Sequence, residues 1–265
     1  MATLTFDIES IPDTLTGRKL YQLPSDMSDE DVAEFMFAKQ RARNGSEFLP
    51  HYLQRIACIS MLLHTPDHCT LWSLTEPDDN EQEIITRFFA GLDKFTPQLI
   101  SWNGSGFDLP VLHYRALKHG VAAPTYWETG DNRSDFRYNN YVNRYHQRHL
   151  DVMDMLSAYQ GRAVASLDNI ACMLDLPGKQ GESGKGVWDY FRQEQFKAIA
   201  NYCESDVLNT HLIFLRFDHM RGVLSDSDYE RAQGHVKTML KQSEAHHLHH
   251  FLDAWDKPTK SADKT

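Results

Sequence analysis

Apolar and polar residues alternate along Thr3-Leu4-Thr5-Phe6-Asp7-Ile8-Glu9-Ser10, the period of a β-strand whose two faces differ. Phe6 and Ile8 share one face, and Asp7 and Glu9 share the other, about 7 Å apart. From Pro12-Asp13 to about Pro50 the pattern turns polar. This insertion holds a helix start at Ser28, a good N-cap, followed by Asp31, Val32, Phe35, Met36 and Lys39 at helical spacing. Residues 55–63 form a near-continuous apolar run, the pattern of a buried central strand. Residues 68–74 return across Thr65-Pro66-Asp67 as its hairpin partner. Over 81–92, Ile84, Ile85, Phe88, Phe89 and Leu92 fall on one helical stripe. Pro97 breaks the chain, and 98–102 is a short apolar strand.

Asn103-Gly104-Ser105-Gly106-Phe107-Asp108-Leu109-Pro110 follows at once. Its glycines permit a tight strand-to-helix turn, and Asp108 and Pro110 suit the opening of a helix through Leu112, Arg115 and Leu117. Sites on open α/β sheets gather where loops leave the carboxyl ends of strands, which sets Asp108 within reach of Asp7 and Glu9. Residues 124–150 interleave Arg133, Arg137, Arg144 and Arg148 with Tyr126, Tyr138, Tyr141 and Tyr145. That composition suits phosphate contacts with base stacking, and equally a surface loop whose tyrosines pack on the domain. His149-Leu150-Asp151-Val152-Met153-Asp154 leads into helices, and Ser166 caps the next. The glycine-lysine stretch 178–186 departs from a Walker A loop: Lys185 precedes Gly186, and Lys179 stands where the first glycine belongs. It is either a mobile loop carrying lysines to substrate phosphates or an ordinary connection. Residues 195–217 read as one long helix with Tyr202 and Asp206 on the same face. A further helix runs through Leu240. His246 and His250 then form an i, i+4 pair, a spacing that can hold a transition metal, though no glutamate-based motif accompanies it. The tail from 256 is polar and frayed.

Composition narrows the class more than it defines it. A chain of 265 residues, 41% hydrophobic and 24% charged, can bury a full globular core. The expected location is cytoplasmic: no apolar run reaches about 18 residues and no leader pattern opens the chain. Cys58, Cys69, Cys172 and Cys203 are widely spaced, as free thiols in a reducing compartment are, and no zinc ribbon is spelled. The net charge of −10 argues against a protein that coats nucleic acid by bulk charge. It leaves room for an enzyme with local phosphate contacts, and metal-binding carboxylates would themselves supply some of the negatives.

The candidate chemistry lies in three pieces: Asp7-x-Glu9, Asn103-x-x-x-Phe107-Asp108 and Tyr202-x-x-x-Asp206. On a strand, a strand-to-helix turn and a late helix, in that order, they resemble the exonuclease motifs of the DEDD superfamily in its tyrosine subtype. The chain is similar to the family of predicted 3′–5′ exonucleases akin to the proofreading domain of B-family DNA polymerases. The histidine subtype would place histidine at the position of Asn201. The resemblance covers residues 2–217. It implies an α/β, ribonuclease H-like fold, with a central mixed sheet of about five strands flanked by helices. The expected domain is 1–217, with the insertion at about 13–50, followed by a helical extension and frayed tail over 218–265.

The same resemblance implies Mg²⁺ or Mn²⁺ as cofactor, two ions about 3.5–4 Å apart that activate water and stabilise charge on the phosphate. Asp7 would bridge both, Glu9 and Asp206 would complete the first, and Asp108 would hold the second largely through water. Tyr202 would position or help deprotonate the attacking water. Candidate substrate contacts are Ile8, Asn103, Phe107, Arg137, Arg144, Arg148, Lys179 and Lys185. The expected substrate is the 3′ end of DNA, single-stranded, and the 3′–5′ direction comes from the resemblance alone. Exoribonucleases trimming RNA 3′ ends share all three motifs. A nucleic-acid-binding module that lost catalysis is the reading of another class, against which the full set of acids and Tyr202 argues.

Overall fold

The long alternating segment becomes β1 (Thr3–Pro12), the middle strand of a sheet ordered β3-β2-β1-β4-β5. The computed structural model describes residues 2–77, 80–178 and 186–257, so Lys179 and Lys185 lie outside the described residues. The insertion contributes α1 (Thr14–Leu20) and α2 (Asp29–Asn44). The Ser28 hydroxyl accepts from the Asp31 amide at 3.1 Å, and Gly45 closes α2 at φ 78°, a left-handed position that glycine adopts without strain. The apolar run is β2 (Gln54–His64), paired antiparallel with β1 on one side and with β3 (Cys69–Thr75) on the other.

Next come α3 (Glu81–Phe95), β4 (Gln98–Ser101) and α4 (Asp108–His119). The short α5 (Pro124–Trp127) precedes β5 (His149–Asp151), and both β4 and β5 run parallel to β1. The sequence pattern passes from 149 straight into helices, because a strand of 3 residues has no alternation to show. α6 (Val152–Leu156), α7 (Leu167–Met173), α8 (Val187–Arg192) and the long α9 (Phe196–Met220) follow, then α10 (Asp226–Gln242) and α11 (His246–Trp255). This is the ribonuclease H-like α/β arrangement, a five-stranded mixed sheet covered by helices.

The period of β1 decides which helix covers which face. Leu4, Phe6 and Ile8 join Ile84, Phe88, Val111 and Leu112 of α3 and α4 in one core, with the Phe6 and Phe88 rings 5.2 Å apart. The opposite face, with Thr5 and Asp7, meets α9. The 218–257 extension is part of that second core: Val236, Leu240, Leu248 and Phe251 pack with Leu208, Leu212 and Phe214. Between insertion and helices sits an ionic cluster. Arg115 is 2% exposed and binds Glu81 and Asp13, while Lys118 and His119 add to the same carboxylates. Among the described residues, no helix is long and apolar enough to cross a membrane.

Candidate active site

Three elements remote in sequence bring acids together at the carboxyl end of β1. The strand itself presents Asp7, half-buried and opposite Ser60, and Glu9, buried and opposite Cys58. The pairing of β1 with β2 shifts register immediately after Glu9, and irregularities of this kind re-aim side chains beside sites. Asp108 arrives from the turn after β4, and its Oδ1 accepts the backbone amide of Ile8 at 3.0 Å, which seats it between the two β1 acids in sequence terms. α9 supplies Tyr202, Cys203 and Asp206, all buried.

The electrostatics show how closely these groups gather. Burial, then the charges of Asp108, Glu9 and Asp206, hold the Asp7 carboxyl well above the usual carboxylate range. Burial pushes Asp108 up to about 7 against the opposing Ile8 hydrogen bond, with Asp151 and Asp206 adding to the rise. The Tyr202 phenol is pushed up by burial, by Asp206, Glu9 and Asp7, and by a hydrogen bond with Asp206. Cys203 donates its thiol to the Asp7 carbonyl at 3.4 Å and to Asp7 Oδ2 at 3.6 Å. Burial and the neighbouring Cys58 and Asp7 keep that thiol protonated. Ligand atoms of Asp7, Glu9 and Cys203 lie within 4.8 Å of one another.

The turn that delivers Asp108 is built to tight tolerance. Asn103 has φ 63° and its carbonyl accepts from Gly106 and Phe107 at 3.0 and 2.9 Å. A Cβ on Gly104 would lie 2.3 Å from Ser101 Oγ, so only glycine fits there. Asp151, at the end of β5, clamps the same turn: its two carboxylate oxygens accept the Asn103 and Ser105 amides, each at 2.9 Å. Sequence reasoning missed Asp151 as part of the site. Its one signal was a carboxylate preceding a helix, and β5 was too short to mark it as a strand end.

A groove of about 1140 Å³ opens beside Glu9. Its walls are Phe48 and α2 of the insertion, Phe107 at the head of α4, and Trp188 and Arg192 of α8. The insertion therefore lines the groove beside Glu9. The Phe107 and Phe48 rings meet at a tilt of 54°, 5.2 Å between centroids, and Arg192 of α8 pairs with Glu30 of α2. Carboxylates dominate the lining: Glu9, Glu30, Asp31, Glu34, Glu47 and Asp189 against Arg41 and Arg192.

The other predicted contacts divide. Ile8 has its side chain in the α3–α4 core, 4% exposed, and offers the site its backbone. Asn103 is exposed at the turn. Arg137 is exposed too, and Arg144 lies over the Tyr159 ring at 4.5 Å in a crevice shared with Ser105 and Asp151. Arg148 is 6% exposed, with its guanidinium 4.0 Å from the Phe136 ring centroid and its Nε donating to the Asn139 carbonyl. That arginine holds its own loop together. Tyr126 and Tyr141 are core residues stacked 5.8 Å apart, whereas Tyr138 and Tyr145 are exposed. His246 and His250 are both exposed on α11.

No curated protein matches the chain. A family model does: residues 46–255 match the family described as a predicted 3′-5′ exonuclease related to the exonuclease domain of PolB. The match starts after β1 and α2 and runs through α11, whereas the motif resemblance runs from residue 2 to 217. Sheet order, a glycine turn that delivers Asp108 to β1, and a match over most of the chain agree, and the protein belongs to the family of predicted 3′-5′ exonucleases related to the exonuclease domain of PolB.

Proposed function

We propose that this chain removes nucleotides from the 3′ end of single-stranded DNA as a tyrosine-subtype, two-metal-ion exonuclease. One observation carries the reading: the Asp7 carboxyl is within electrostatic reach of Glu9, Asp108 and Asp206, acids drawn from β1, the β4–α4 turn and α9. Such a buried concentration of negative charge costs stability unless cations are held there. The donors are carboxylate oxygens, the set that suits Mg²⁺ or Mn²⁺, so the residues fit the cofactor. Bound there, the ions would supply an activated water and neutralise charge developing on the phosphate.

The chain's own residues then have distinct tasks. Asp7, Glu9, Asp108 and Asp206 would hold the ions through their carboxylates. Burial and its acidic neighbours push the Tyr202 phenol up in the metal-free site, and its hydroxyl would orient the attacking water or help deprotonate it. Asp151 fixes the turn that sets Asp108 and Phe107. Phe48 and Phe107 offer an aromatic wall for the terminal base.

The test uses 5′-labelled single-stranded DNA and RNA of the same sequence, with Mg²⁺ or Mn²⁺. Expected is a ladder shortening from the 3′ end of the DNA, abolished by chelator and reduced on the order of 10³-fold or more in Asp7→Asn. Internal cuts, or undiminished activity in Asp7→Asn, would overturn the assignment. Faster shortening of RNA would replace the DNA substrate and keep the site.

A further inference from the structure

A second group of ligand atoms lies on the α9 face of the sheet, toward the start of β1. His64 ends β2, Cys69 opens β3 and His211 is five residues beyond Asp206 on α9. Their ligand atoms all lie within 4.8 Å of one another. Exposure is 9%, 9% and 0% respectively, so none is a solvated surface residue. His64 Nδ1 and His211 Nε2 face each other at 2.8 Å.

The outer nitrogens decide between a ligand set and a chance cluster. His211 Nδ1 is 2.8 Å from Thr5 Oγ1, and His64 Nε2 is 3.2 Å from Nδ1 of His235 on α10. Each ring thus has one nitrogen held by an outer partner and the other facing the opposite ring. Metal-holding histidines are oriented in this way, by a hydrogen bond at the nitrogen that does not bind. Burial also disfavours the charged form of both rings, lowering His64 to about 4 and His211 well below its ordinary value, and neutral imidazole is the ligand form.

We propose that His64, Cys69 and His211 form a binding site for a thiophilic divalent transition metal, with Zn²⁺ the type case, distinct from the carboxylate site. A set of two nitrogens and one sulfur selects such ions and rejects Mg²⁺ and Ca²⁺. Protons balance on loading. Cys69 gives its thiol proton to solvent. In the empty site one ring carries its proton between His64 Nδ1 and His211 Nε2; on loading that ring changes tautomer by exchange with solvent, leaving the His211 proton on Nδ1 toward Thr5 Oγ1 and the His64 proton on Nε2 toward His235. The ion takes the place of the hydrogen bond between the two rings. It ties the β2–β3 hairpin to α9 and, through His235, to α10.

The experiment titrates the full-length, chelator-treated protein with Co²⁺ and reads the near-ultraviolet thiolate-to-cobalt absorption. A band saturating at one equivalent and displaced by Zn²⁺ is expected. Cys69→Ser should lose it, and Cys203→Ser, which alters the thiol beside Asp7, should keep it. Removing the outer partner by Thr5→Val should weaken Zn²⁺ binding about 10–100-fold. If Cys69→Ser does not fold, His64→Gln serves as the second variant, with tighter binding in the wild type the expected result. No thiolate band in the wild type would mean a hydrogen-bonded histidine chain only, and would overturn the proposal. A band that survives Cys69→Ser or vanishes in Cys203→Ser would overturn it as well. The ladder assay is read separately, so failure here leaves the exonuclease reading standing.

Discussion

Asp108 shows at the residue scale what the site costs the fold. Its carboxyl sits at about 7, raised chiefly by burial. Between the ordinary carboxylate range and that value, the folded protein holds a proton that the unfolded chain has lost. Stability therefore falls as pH rises across this window and stays low above it. Asn keeps the acceptor for the Ile8 amide and has no proton to lose. In chelator, Asp108→Asn should melt higher than wild type, with a gain that grows from about pH 5 to about pH 8. The same variant should be inactive with Mg²⁺ present. A thermal melt series across pH decides it: a constant or negative difference would remove Asp108 from the acid cluster. That Asp7 shares a face with Glu9, and Tyr202 with Asp206, was legible in the sequence because strand and helix periods fix which residues share a face. Asp151 was not, since a strand of 3 residues carries no period and its role lies in backbone amides 46 and 48 positions away. Arg148 was read from composition, which registers charge and misses the Phe136 ring beneath it.

At the scale of elements, the insertion is fastened by charge as much as by apolar packing. Asp13 opens α1, and Arg115 and Lys118 of α4 hold it, while Glu81 of α3 accepts from Arg115 and from the Ile56 amide. Burial raises the Asp13 carboxyl, but hydrogen bonds from Lys118, Thr16 and Arg115 outweigh it and leave it below the usual range. Arg115→Met removes the buried guanidinium that Asp13 and Glu81 share, leaving them Lys118 and His119 at the margin, and should cost about 3–5 kcal/mol, measured by urea unfolding. A loss under about 1 kcal/mol would show the cluster to be solvated in practice. Most elements were legible for ordinary reasons: Ser28 capped α2, and the stripe of Ile84, Phe88 and Leu92 announced α3. What the insertion does was not legible, because lining a groove depends on where Phe48 and α2 fold back, which no local period encodes.

Across the whole molecule, α9 joins the parts. One side of it faces the acids of β1, and the other receives α10 and α11 through Val236, Leu240 and Phe251. Phe251 is 1% exposed, and Phe251→Ala should cost about 3–5 kcal/mol. Unfolding should remain one transition by fluorescence and circular dichroism. Two separate transitions would mean that the extension folds apart from the sheet.

The acid-lipped groove has a consequence for the tempo of the reaction. A protein of net charge −10 whose entrance carries Glu30, Asp31, Glu34 and Glu47 meets a polyanion against its own field. Mobile ions in solution muffle that repulsion over distances of about 8–10 Å. Proteins that grip nucleic acid by counterion release slow down as salt is added. This one should speed up: kcat/KM on long oligonucleotides should climb with monovalent salt at fixed Mg²⁺, and the climb should fade for the shortest substrates. A fall with salt would mean that cations elsewhere on the surface do the steering. A climb would mean that strand ends reach the groove by unsteered diffusion.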